Sequence, residues 1–380
     1  MNRHKTMRLL YIASGIPVPG ALGGSTHAYE VARGLARLGH AVHLVAAGPV
    51  RQPRQLDGFT LYQRRTPKAL SLADTPFVLG LARRLRPDAI IERYYNFAGA
   101  GMLAARWLGI PSLLEVNALM VDPPAVRKRR LDDRLGGPMR RYAERQCDWA
   151  ARIVTPLHTT VPARIARSKI IEMPWGADVD RFDPTARPPQ NGAPNIVFMG
   201  SFRAWHGVTD GVRAVLRLLD AGHDLRMTLI GDGPERGAAE ELAAPHRERF
   251  HFSGAIPYTQ IPSELARADL GIAPFNTAPH PALRSAGFFW SPLKIYEYMA
   301  AGLPVVTAAI PPLDTIIREG QEGALYPEGD VDALAAAIAR VVADRAAAQA
   351  MGQRARERVV AHYSWQQHCR ELERVLGEML

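Results

Sequence analysis

Twice along this chain a short apolar run opens directly into glycines and then into an amphipathic stretch, and this repetition constrains the fold more than any other feature. The first run, Met7-Arg8-Leu9-Leu10-Tyr11-Ile12-Ala13, leads through Gly15, Gly20, Gly23 and Gly24 to Ser25. Apolar residues at helical spacing follow (Ala28, Val31, Ala32, Leu35, Leu38) and stop at Gly39. The spacing predicts a strand over 7–13, a loop over 14–25, a helix over 26–39 and a strand over 41–46. Right-handed crossover makes such a unit parallel. The rhythm continues with strands over 88–92, 112–116, 151–155 and 170–174, a helix over 98–108, and one or two Arg-rich helices within 123–150. Arg3, Lys5 and Arg8 stand before the apolar residues Leu9 to Ala13, but that run is short and meets a glycine loop at once, so it reads as a strand rather than a leader.

Pro184, Pro188, Pro189, Gly192 and Pro194 then form a stretch that can propagate neither a helix nor a central strand. After it the grammar restarts, with a strand over 195–199, a loop over 200–207 and a helix over 208–221. Strands over 227–230, 250–252, 270–274 and 304–307 follow, then Ala- and Arg-rich helices over 331–360 and an amphipathic helix over 363–378. The expected fold is α/β, with two Rossmann-like doubly wound domains over 1–182 and 183–360. Residues 361–380 are expected as a C-terminal helix packing back towards the N-terminal domain. Such sheets place ligands at the carboxyl ends of their strands, here on either side of a cleft.

The net charge of +10 is divided unevenly: residues 1–178 carry 27 Lys+Arg against 13 Asp+Glu, and the rest carry 20 against 24. The basic half lacks a nucleic-acid reader motif or interleaved aromatics, which argues against nucleic acid as the partner. Its densest stretch, Arg127 to Arg145, is a candidate for peripheral contact with an anionic bilayer, although Asp132, Asp133 and Glu144 interrupt it. Two distant cysteines, Cys147 and Cys369, fit a reducing compartment, and a cytoplasmic location is expected.

The second half carries an ordered set of motifs: Gly231-Asp232-Gly233-Pro234-Glu235, Gly254-Ala255-Ile256-Pro257, and Ser291-Pro292-Leu293-Lys294-Ile295-Tyr296-Glu297-Tyr298-Met299-Ala300-Ala301-Gly302. With the Gly23-Gly24 loop, Pro174-Trp175-Gly176-Ala177-Asp178 and Phe182, this set resembles the family-4 glycosyltransferases of the GT-B fold. The resemblance implies a metal-independent, retaining transfer of a sugar from a UDP- or GDP-linked donor to a glycan, lipid-linked or small-molecule acceptor, with no cofactor. A sugar-nucleotide epimerase or a non-catalytic sugar-nucleotide-binding protein of the same fold is the rival reading.

Ser291 and Pro292 read as the N-cap and first residue of a helix whose N-terminus suits a diphosphate, with Leu293 beside them and Lys294 adding full charge. In the family Glu297 holds the ribose. Its usual partner eight residues earlier is replaced by Phe289, so the backbone of Phe288 and Phe289 is expected to face the transferred sugar. The phosphate-binding Arg and Lys of relatives fall on Ser201 and His206, leaving Arg203 as the substitute guanidinium. Gly231 and Gly233 are expected to let backbone approach the nucleotide, and Ile256 lies where the family cradles the base. In the first half, Gly23 and Gly24 are expected at the donor. His27, Glu92 and Tyr94 are expected at the acceptor, and Glu115 with Asn117 near the reacting centre. Asp178–Asp180 and Asp330–Asp332 match Asp-x-Asp formally, but neither is expected to hold a metal.

Overall fold

The computed structural model describes residues 6–20, 23–50, 52–184 and 192–380; Arg3, Lys5 and the linker residues Pro188 and Pro189 lie outside these. Two compact units emerge. The first comprises residues up to Trp175, Phe289–Ser291 and Trp365–Leu380; the second comprises Gly176–Phe288 and Pro292–Ser364.

The first unit runs β1 (Arg8–Pro17), α1 (Gly23–Arg37), β2 (Ala41–Ala47), β3 (Arg54–Leu56), β4 (Phe59–Arg64), α2 (Thr75–Leu85), β5 (Ala89–Arg93), α3 (Ala100–Leu108), β6 (Ser112–Glu115), α4 (Arg127–Arg134), α5 (Pro138–Trp149), β7 (Arg152–Thr155) and β8 (Ile170–Glu172). Its sheet is ordered β3-β4-β2-β1-β5-β6-β7-β8, parallel except for the edge strand β3. β1 is buried from Leu9 through Ser14, because a parallel strand covered on both faces needs a continuous apolar run.

The second unit runs β9 (Asn195–Met199), α6 (Val208–Asp220), β10 (Arg226–Ile230), α7 (Arg236–Ala243), β11 (Phe250–Gly254), α8 (Ile261–Leu265), β12 (Leu270–Ala273), α9 (Pro281–Ala286), α10 (Leu293–Ala300), β13 (Val305–Ala308), α11 (Leu313–Ile316), β14 (Gly323–Tyr326), α12 (Val331–Val342) and α13 (Arg345–His362). Its sheet, ordered β11-β10-β9-β12-β13-β14, is wholly parallel among the described residues. α6 buries Val208, Gly211, Val212, Ala214, Val215 and Leu218, an i, i+3, i+4 stripe that packs on the core of this sheet.

The last helix, α14 (Trp365–Gly377), returns to the first unit and lies on α1. Leu372, Val375 and Leu376 are buried there, His40 Nε2 sits 3.1 Å from Glu373 Oε1, and a side chain at Gly34 would collide with Cys369 Sγ.

Both sheets are doubly wound, as the repeated sequence pattern predicts. Several boundaries differ from the sequence reading. α1 begins at Gly23 rather than near Thr26, so Gly23 and Gly24 form its first turn instead of a preceding loop. The hairpin β3–β4 and the strand β14 have no counterpart in the expected elements.

Candidate functional site

In each sheet the chain starts in the middle, winds outward, and returns to the other side of its first strand. The loops leaving β9 and β12 therefore part company at adjacent strands, which is where an open α/β sheet leaves room for a ligand. Here the two loops are fitted to one another: Gly207 has φ 70°, and any Cβ there would strike the Pro274 carbonyl. The β10 loop closes over the first of them. Gly231 has φ 134° and a Cβ there would collide with the Gly200 carbonyl, so its glycine is demanded by loop-on-loop packing as well as by backbone conformation. Gly233 is likewise packed against the Phe202 backbone.

Lys294 projects into this place from the first turn of α10. Its Nζ lies 4.3 Å from the centre of the Phe198 ring and 4.9 Å from that of Phe275. The side chain is buried, and Nζ has no hydrogen-bond partner among the described residues. Burial pushes its ammonium down to about 7, against the opposing pull of Glu297. A buried, unsatisfied ammonium costs stability unless an anion completes it. Glu297, one turn further along α10, is also buried and accepts a 2.6 Å hydrogen bond from the Tyr258 hydroxyl.

His206 sits beside this ammonium, its Nδ1 3.3 Å from Ser201 Oγ; burial and Lys294 push its imidazole down to about 2. It is therefore neutral across the ordinary pH range. The Arg203 side chain is exposed, and its guanidinium has no hydrogen-bond partner among the described residues. Ile256 follows β11, half-buried. Phe288 is buried against Phe275 with ring centres 4.7 Å apart, while Phe289 belongs to the first unit and packs on Trp290.

The expected cap of α10 is corrected. Ser291 does not cap it: its Oγ accepts the Trp175 backbone N–H at 2.8 Å within the first unit, and Pro292 occupies the N-cap position without a side-chain bond. A long-range partner outcompetes the local one. Of the formal Asp-x-Asp matches, Asp330 caps α12 through Ala333 N at 2.9 Å, Asp332 pairs with Arg217, and Asp178 accepts Arg181 N.

In the first unit a polar cluster gathers at the carboxyl ends of β5 and β6, beside Tyr11 of β1. Glu115 Oε2 accepts the Tyr11 hydroxyl at 2.6 Å. Its Oε1 accepts Asn117 Nδ2 at 2.7 Å and lies 3.4 Å from Arg93 Nη1 and 2.9 Å from His27 Nε2. Burial alone would raise this carboxyl, but His27, Arg93 and the donated hydrogen bonds hold it far below the carboxylate range. Arg93 Nη1 donates to His27 Nδ1 at 2.7 Å, so the ring is neutral and carries its proton on Nε2, towards Glu115. Burial pushes the imidazole down to about 4.

Glu115 is thus consumed by its neighbours. Both oxygens are engaged and the residue is buried, with Arg93 and Asn117 held against it. Asn117 Oδ1 in turn accepts Trp175 Nε1 at 2.7 Å. His27, fully buried among Trp175, Trp365 and His368, is likewise not open to an acceptor.

Glu92 is also corrected. It is fully buried and its oxygens accept Gly99 N at 3.1 Å and Gly101 N at 2.7 Å, capping α3. Burial pushes its carboxyl up to about 8 despite those donors. The Tyr94 hydroxyl lies 3.2 Å from both the Met120 carbonyl and Asn96 Oδ1, and burial raises its pKa.

Sequence reasoning gave no site role to Arg93, whose Nη2 lies beside Gly24 at the start of α1, nor to Tyr258, Phe275 and Trp175. The signal for Arg93 was its place as the last residue of β5, on the opposite face from Glu92.

Comparison with known proteins agrees with this geometry. Residues 193–344 match the family model for glycosyl transferases group 1, and residues 22–180 match that for glycosyltransferase family 4. Glycogen synthase of Mycobacterium tuberculosis is 26% identical over 301 residues, which is 76% of this chain and 68% of that protein. Among solved structures, a glycosyltransferase from Rickettsia africae superposes with a TM-score of 0.74 at 16% identity, covering 98% of both chains. The Anabaena protein HepE, in complex with UDP and glucose, superposes with a TM-score of 0.69 at 16% identity, covering 98% of this chain and 99% of its own. The chain belongs to the group 1, family-4 glycosyltransferases and has the GT-B fold.

Proposed function

We propose that this glycosyltransferase takes its sugar from a UDP- or GDP-linked donor, retains the anomeric configuration and needs no metal. The observation that carries the reading is the buried Lys294 Nζ without a hydrogen-bond partner among the described residues, at the strand-order switch of the second sheet. A diphosphate would complete it, and the exposed guanidinium of Arg203 is free to add a second, bidentate contact. Glu297 would receive the ribose hydroxyls in place of, or beside, the Tyr258 hydroxyl. The protein's contribution to the reaction is then electrostatic: the Lys294 and Arg203 charges stabilise the departing diphosphate. In the first unit, Arg93, Asn117 and the first turn of α1 are the groups left to meet substrate, because Glu115 and His27 hold them in place. HepE, bound to UDP and glucose, supports a UDP-linked donor.

The acceptor is proposed to be a saccharide, and the enzyme to work in the cytosol beside an anionic bilayer. One face of α4 favours that placement: Arg127, Arg130, Leu131 and Arg134 are exposed at i, i+3, i+4 and i+7, and Leu135 follows. Asp132, which interrupts the basic run in the sequence, is buried and caps α5 through Met139 N at 2.8 Å. Among the described residues no helix is long and apolar enough to cross a membrane.

The reading is tested by incubating the full chain with UDP-glucose, GDP-mannose and a panel of saccharide acceptors, and following product by NMR. An α-linked product from an α-linked donor, formed equally with EDTA present, is expected. A β-linked product, or loss of transfer on chelation, would contradict it.

A further inference from the structure

A cavity in the first unit, of about 520 Å³, lies away from the Glu115 cluster, outside the carboxyl ends of β2 and β4. Tyr62, Gln63 and Arg64 at the end of β4 form one wall, with Arg65 beyond them; Phe77 and Arg84 of α2 form another. The same edge of the sheet carries Arg93 at the end of β5, three strands away in the order β4-β2-β1-β5, or about 14 Å at the usual strand spacing.

The charges lining this cavity are not balanced. Arg64 Nε donates to Asp74 Oδ1 at 2.9 Å, and Thr66 Oγ1 donates to the same oxygen at 2.7 Å, so the Asp74 carboxylate is used within the wall. The Arg64 guanidinium also lies 4.5 Å from the centre of the Phe77 ring, which fixes it. Two guanidiniums then stand without a carboxylate among the described residues. Arg65 spends only its Nε, on the Pro49 carbonyl at 3.2 Å, and Arg84 has no hydrogen-bond partner there; both are exposed. Gln63 is clamped rigid, its Nε2 on the Val18 carbonyl at 2.8 Å and its Oε1 on Val50 N at 3.2 Å. A preformed recess with two uncompensated guanidiniums over a rigid polar wall fits an anionic group, whose oxygens accept paired N–H donors, carried on a hydroxyl-rich body.

We infer that this cavity binds an acidic part of the acceptor, a saccharide bearing a carboxylate or a phosphate, while its attacking hydroxyl reaches towards Arg93. The inference rests on the glycosyl-transfer reading above and narrows its acceptor to an anionic one.

Isothermal titration of the full chain with glucuronate, glucose 6-phosphate, glucose and inorganic phosphate tests it, using wild type and the surface variant Arg65→Gln/Arg84→Gln. Glucuronate and glucose 6-phosphate are expected to bind at least tenfold more tightly than glucose, and the double variant to lose that advantage. Whichever of the two acids binds better identifies the charged group. Equal binding of glucose and the acids, or an unchanged advantage in the variant, would overturn the proposal. Inorganic phosphate binding as tightly as glucose 6-phosphate would overturn the saccharide assignment. UDP titration of the same variant is expected to match wild type. If UDP fails to bind either protein while the acids still do, the donor reading falls and this site stands.

Discussion

Glu92 and Glu115 leave neighbouring strands as buried carboxyls with opposite behaviour, and the difference lies in what faces them. Glu115 meets a guanidinium and two hydrogen-bond donors and stays ionised; Glu92 meets only the first amides of α3, too little to offset burial. The unfolded carboxyl of Glu92 titrates near 4.5 and the folded one near 8, so the folded state holds an extra proton between these values. Its contribution to stability is therefore lost as pH rises through that window. Urea unfolding at pH 5, 6.5 and 8 is expected to show wild type losing a few kcal/mol relative to Glu92→Gln over the range. Parallel stability profiles would contradict this. Glu115→Gln, which strands the Arg93 guanidinium, is expected to cost about 3 kcal/mol at pH 7 in the same assay. An unchanged midpoint would mean that Arg93 does not depend on it. At the proposed donor site, Glu297→Ala should weaken UDP binding by roughly a hundredfold or more, the worth of two charge-assisted hydrogen bonds. Unaltered affinity would remove Glu297 from the site.

At the level of elements, the glycine loops and α10 were legible because clustered glycines and one-turn spacing stand in the sequence itself. Glycine at 207 and 231 is required by backbone approach, and the spacing of Lys294 and Glu297 is that of one helix face. What failed to show was set by partners far along the chain. Ser291-Pro292 looks like a helix start, yet Ser291 serves Trp175. Glu92 and His27 look available, yet one caps α3 and the other is walled in by Trp175 and Trp365. β4 was missed because its alternation of buried Phe59 and Leu61 with half-buried Thr60 is short and ends in Gln63 and Arg64. α14 follows the same long-range logic: it covers α1 over Gly34, so Gly34→Leu should force it away. The expected cost is about 1–3 kcal/mol, with faster proteolysis after Ser364. A protease-resistant variant would contradict that packing. For α4, Leu131→Gln/Leu135→Gln should weaken sedimentation with phosphatidylserine vesicles without altering UDP affinity; equal sedimentation would remove this face from the bilayer.

Across the whole molecule, the two halves of the sequence repeat one topology but differ in charge. On the proposed function the first, basic unit would meet acidic saccharide and lipid, and the buried Lys294 of the second would meet the donor. This division turns on one claim, that Lys294 waits for a diphosphate. With its ammonium near 7 when the site is empty, a bound diphosphate must raise its pKa, so binding at pH 8 must draw a proton onto it. The direct measurement is calorimetric titration of UDP at pH 8 in buffers of different ionisation enthalpy, for wild type and Lys294→Met. Wild type should take up close to one proton per UDP and bind more weakly as pH rises from 7 to 9, and Lys294→Met should show neither effect. Identical proton uptake and affinity in the two proteins would contradict the account.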